Sequence, residues 1–90
     1  MNTKTVRRNL EILAVLAVFD SEPFQYELIR QEARNALSIL DDDLAKWHSC
    51  RRLSWFHQRL ILIFRYSNQL EKNSKNQEIL NIAKALYQEF

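Results

Sequence analysis

Arg52, Trp55, Arg59, Leu62 and Tyr66 follow one another at spacings of three, four, three and four residues. If residues 53–66 coil as a helix, these five share one face, set roughly opposite Leu53, Phe56, Leu60 and Ile63. Guanidinium groups pair with phosphates, and indole and phenol rings stack on unpaired bases. Arg51 and Arg65 belong to the same stretch. Arg51, Arg52, Trp55, Arg59, Arg65 and Tyr66 therefore form a candidate nucleic-acid-binding set. A structural use competes for the same residues: Trp55 and Tyr66 as core aromatics, with the arginines lying along the surface or pairing with Asp41, Asp42 and Asp43.

Other chemistry-bearing groups assemble into less. Asp41, Asp42 and Asp43 are consecutive. Neighbours on a helix point about 100° apart, so the three do not converge on one ion, and a solvated first-turn patch is the expectation. His48, Cys50 and His57 make three possible zinc ligands without a fourth and without a paired-ligand frame. Cys50 beside His48 lacks an orienting third group, so a buried, inert thiol is expected. No metal, no cofactor, no small-molecule substrate and no catalytic residue is assigned. The spacing of Arg52 and His57 in Arg52-Leu53-Ser54-Trp55-Phe56-His57 resembles the R-x4-H motif of the HEPN ribonuclease family. That resemblance implies a helical, commonly dimeric protein with Arg52 and His57 lining an RNA-cleaving cleft.

The chain has 90 residues, 47% hydrophobic and 27% charged, with no glycine, one proline and one cysteine. That length suits a single domain over residues 1–90. The absence of glycine excludes glycine-rich phosphate loops and glycine hairpin turns. One cysteine cannot form an internal disulfide, which argues against an oxidising compartment. Lys4, Arg7 and Arg8 precede an apolar run as in a signal peptide, but Glu11 interrupts it, and residues 12–19 are far short of a bilayer span. The expectation is a cytoplasmic protein without membrane contact.

Charge is segregated along the chain. Residues 9–43 carry Arg30 and Arg34 against eight carboxylates, whereas residues 44–75 carry seven cations against Glu71 alone. Either the second segment meets an anionic partner, or the two segments attract each other across the fold.

Four or five helices would position these groups. Residues 5–19 read as a first helix, apolar nearly all round and hence central to the core. Ser21 is a candidate cap for a second helix over residues 22–34, with Pro23 in its first turn and Phe24, Leu28 and Ile29 buried. A third begins near residues 35–38, with Ser38 and Asp41 in a capping-box spacing and Leu37, Leu40, Leu44 and Trp47 as its stripe. A bend is expected at residues 49–52, where the stripe loses phase. Residues 53–66 read as helix, with an extended strand as the alternative. Ser74 to Gln77 form an S-x-x-Q capping box, starting a last helix that runs to the C-terminus and buries Ile79, Ile82, Ala83, Leu86 and Phe90.

The same order of elements resembles a winged helix-turn-helix domain. Residues 10–19, 23–33 and 35–51 would be its helices, residues 53–56 and 60–66 its wing strands, and residues 74–90 a dimer contact. That resemblance implies a dimeric DNA-binding regulator. With no glycine for a wing turn, and three aspartates where DNA phosphates would repel them, an all-α bundle is preferred. The expected role is a non-catalytic subunit or adaptor of a larger, nucleic-acid-containing assembly, with a protein partner or self-association. In size and composition it resembles the small helical subunits of CRISPR effector complexes.

Overall fold

Tyr26, Ile29, Ala33, Ala36 and Leu40 keep spacings of three, four, three and four residues, and all five are buried. They are the inner line of one long helix. In the computed structural model, which describes residues 3–16, 22–41 and 50–89 (with side chains from residue 54 in the last stretch), four helices stand in chain order. They are α1 (Thr3–Ala14), α2 (Phe24–Leu40), α3 (Cys50–Asn68) and α4 (Ser74–Gln88). The fold is an all-α bundle, and among the described residues there is no strand.

Ion pairs and hydrogen bonds show the helix directions. Arg7, early in α1, pairs with Asp41 at the end of α2. Tyr26, early in α2, bonds Asn76 early in α4. Glu32 and Arg59 meet near the middles of α2 and α3. The helices run up and down, each beside its chain neighbour. α2 packs most extensively against α3 and next against α1, α3 packs against α4, and α1 meets α4 over a smaller seam. The shared core includes Val6, Leu10 and Leu13 of α1, Phe56, Leu60 and Ile63 of α3, and Ile79, Ala83 and Leu86 of α4.

Several expectations are corrected. The helix expected to end at residue 34 continues to Leu40, so Asn35 and Ser38 lie inside α2 and start nothing. The continuous line runs through Ala33 and Ala36, whose small side chains let neighbouring helices approach; Leu37 is only half-buried. Phe24 is 69% exposed instead of buried, and Tyr26 takes the inward place. Pro23 itself is the N-cap of α2, with φ −65° and ψ 146° and no side-chain cap bond. α1 is one-sided rather than central: Val6, Leu10, Leu13 and Ala14 are buried, while Val15 just beyond is 75% exposed. The central helix is α2, which packs broadly on both α1 and α3.

Residues 53–66 are helical throughout, so the wing strands of a winged helix-turn-helix domain are absent and that reading falls. Lacking turn-forming glycine, asparagine or aspartate, this apolar run stays in one helix. α4 is capped one residue before the expected Ser74: the Asn73 side chain accepts from Asn76 N–H at 2.8 Å. Ile82 is half-buried beside the core. Ser21, Leu44, Trp47, Ser49 and Phe90 fall outside the described residues.

Candidate nucleic-acid interface

A straight α-helix advances about 100° per residue. Phe56, Leu60, Ile63 and Ser67 form the buried line of α3. Trp55, Arg59, Leu62 and Tyr66 lie roughly a quarter turn from that line, not opposite it. They form the flank that meets α2. Ser54 and Arg65 are outward and exposed, and Gln58 is exposed at the outer edge of that flank. This offset decides what each candidate does. Tyr66 is half-buried against the core, and Leu62 is likewise half-buried. Arg59 reaches across to α2 and donates from Nη1 to Glu32 Oε2 at 2.7 Å. Trp55, a turn nearer the start of α3, stays 54% exposed. Arg65 is exposed, and the side chains of Arg51 and Arg52 fall outside the described residues.

Trp55 and Arg59 border a groove of about 370 Å³ between α2 and α3, whose other walls are Asn35, Ser38, Ile39 and Gln58. Two carboxamides, a hydroxyl, an indole and a guanidinium thus surround one recess. Carboxamides carry both donors and acceptors, the hydroxyl does the same, and the guanidinium only donates. Among the described residues of this lining there is no carboxylate; Glu32, one turn from Asn35, is engaged by Arg59. Asn35 and Ser38 were legible in sequence only as a helix start. Their three-residue spacing on the polar flank of α2 was the available signal that they share a surface.

A second group of polar residues is architectural. Arg30 is 4% exposed. It donates from Nη2 to Glu22 Oε1 at 2.5 Å and to Glu27 Oε2 at 2.6 Å, and from Nη1 to Glu22 Oε2 and the Leu16 carbonyl, each at 3.3 Å. Hydrogen bonds to Glu22, then to Glu27, raise its pKa further above the ordinary arginine range, against the opposing effect of burial. The guanidinium ties the end of α1 and the approach to α2 onto α2. At the same end of the bundle, Tyr26 OH donates to Asn76 Oδ1 at 2.6 Å, and Asn76 Nδ2 donates to the Glu71 carbonyl at 2.8 Å. Burial, then the charge of Glu22, raises the Tyr26 pKa. The Lys75 ammonium lies 5.4 Å from the centre of the same ring. Tyr26 and Asn76 also line a cleft of about 390 Å³ with Pro23, Gln69 and Asn73, already bonded to each other there.

The remaining candidates are dispersed. Asp41 pairs with Arg7, while Asp42 and Asp43 fall outside the described residues. Among the described residues, Arg59 pairs with Glu32, which is level with it on the facing helix, and not with Asp41. His57 has its ring centre 6.1 Å from that of Tyr87, on the α4 side of α3. Arg52 and His57 belong to one continuous helix, where five residues separate directions by about 140°. His48 and the Cys50 side chain are not among the described groups. Among the described residues, no set of three or more His, Cys, Asp or Glu could hold a metal ion, and no helix is long and apolar enough to cross a membrane.

Compared with protein-family models, curated proteins and solved structures, the chain returns no match.

Proposed function

We propose that this chain is a non-catalytic helical subunit or adaptor of a larger assembly, in which the α2–α3 face contacts the sugar–phosphate backbone of a nucleic acid. The supporting observation is Trp55. A tryptophan left 54% exposed beside a guanidinium, in a groove that carboxamides also line, supports contact with a planar, polar ligand. Arg65 adds an exposed cation on the adjoining outer line of α3. A protein partner fits the opposite requirement. Val15 and Phe24, at the same end of the bundle, expose apolar side chains that a neighbouring subunit would cover.

The test is fluorescence anisotropy of labelled RNA and DNA, single-stranded and duplex, at low and physiological salt. Binding is expected, weakening as salt rises. Arg59→Ala and Arg65→Ala each lower the affinity and flatten the salt dependence. Absence of binding by the wild-type chain at low salt removes the nucleic-acid role and leaves a protein-interaction module. Native-lysate pull-down, with and without nuclease, separates partners held through nucleic acid from those held directly.

A further inference from the structure

We infer that the α2–α3 groove is a reader of a single unpaired nucleobase, stacked on Trp55 and hydrogen-bonded by Asn35, Ser38 and Gln58. This inference rests on the nucleic-acid reading above and specifies its ligand. Three observations point to it. The recess of about 370 Å³ falls in the size range of small-ligand clefts, roughly 300–1,000 Å³, and lies open between two neighbouring helices. Its polar groups match a base edge: two carboxamides and a hydroxyl offer donors and acceptors side by side, as the Watson–Crick edge of a splayed base requires. Its apolar groups match a base face, with Trp55 presenting a half-exposed ring and Ile39 on the other helix.

Arg59 completes the arrangement. Its contact with Glu32 uses one donor of a guanidinium that carries five N–H groups, and the side chain stays 29% exposed at the groove. Glu32 therefore orients the fork. The remaining donors of this groove-lining side chain would serve the phosphate of a bound nucleotide. The described lining residues include the Arg59 cation and no carboxylate, which suits a ligand bearing negative charge.

The experiment uses the full chain with a fluorescein-labelled oligouridylate and a duplex RNA of mixed sequence. Wild type is expected to bind the single strand more tightly than the duplex, with quenching of its indole emission. Trp55→Ala should lose about tenfold or more in single-strand affinity, the effect of removing one stacked base. Trp55→Phe should keep most of the affinity while losing the quench. Asn35→Ala and Gln58→Ala should each weaken binding with an unchanged far-ultraviolet circular dichroism spectrum. Equal affinity for single strand and duplex overturns the base site and leaves backbone contact standing. So does a Trp55→Ala variant that binds as wild type while Arg65→Ala is weakened. No binding of either probe, or of their DNA counterparts, overturns both readings.

Discussion

Arg59 of α3 and Glu32 of α2 are joined side chain to side chain at 2.7 Å, across the seam where the acidic and basic stretches of the chain face each other. The pair is partly buried, and it stands at the mouth of the groove beside Trp55. Part of the charge segregation is thus spent inside the fold, and Arg59 has two opposed demands on it. Glu32→Gln keeps an oxygen acceptor and removes the competing charge. It should cost about 1 kcal/mol or less of stability. It should also raise single-strand affinity about two- to fivefold, the scale of a partly screened charge interaction. Chemical denaturation and anisotropy check the two effects separately.

Arg30 is the costliest polar side chain to remove. Arg30→Met would remove the guanidinium whose Nη1 and Nη2 both donate to the largely shielded Glu22 carboxylate. A loss of about 3–5 kcal/mol is expected. Glu27→Gln should change stability by less than about 1 kcal/mol, because that carboxylate is mostly in solvent. Urea unfolding of the two variants distinguishes a buried clamp from a surface network. Similar small losses for both would show that Arg30 is not holding α1 to α2.

Tyr26 makes stability sensitive to alkali. Its folded pKa is raised, by burial first and then by the Glu22 charge. Below about pH 10 both folded and unfolded chains keep the phenolic proton, and the contribution is fully present. Above it the unfolded chain releases the proton first, so stability falls as pH rises through the folded pKa. A phenolate would also confront Asn76 Oδ1, which now accepts from the hydroxyl. Tyr26→Phe should lower stability at neutral pH by about 1–3 kcal/mol through the orphaned Asn76 oxygen. Between neutral pH and about pH 11, that variant should lose less further stability than wild type, as read by denaturant midpoints.

The cap of α4 separates two adjacent residues. Asn73→Ala should cost about 1 kcal/mol, since its side chain holds the Asn76 N–H. Ser74→Ala should stay within about 0.5 kcal/mol. The reverse order in thermal melts would place the helix start where the S-x-x-Q spacing suggested.

Legibility in the sequence followed side-chain size and local spacing. The all-α class, the helix over residues 53–66 and its buried Phe56, Leu60 and Ile63 were readable because large apolar residues at helical spacing admit few other solutions. Ala33 and Ala36 were not readable as core, because an alanine is equally at home inside or outside a helix and only a closely approaching neighbour makes it buried. Hence the sequence pattern divides α2 at residues 35–38 and presents Ser38, a groove residue, as a cap.

The composition and the periodicity of apolar residues by themselves determined that this chain folds as helices and where most of them lie. Tertiary structure alone decided which flank of α3 meets α2. From that choice follow the engagement of Arg59 by Glu32, the partial burial of Tyr66 and the exposure of Trp55. The physical reason is angular: spacing places residues on a common face of one helix, but the rotation of that helix against its neighbours determines whether the face is core, seam or surface.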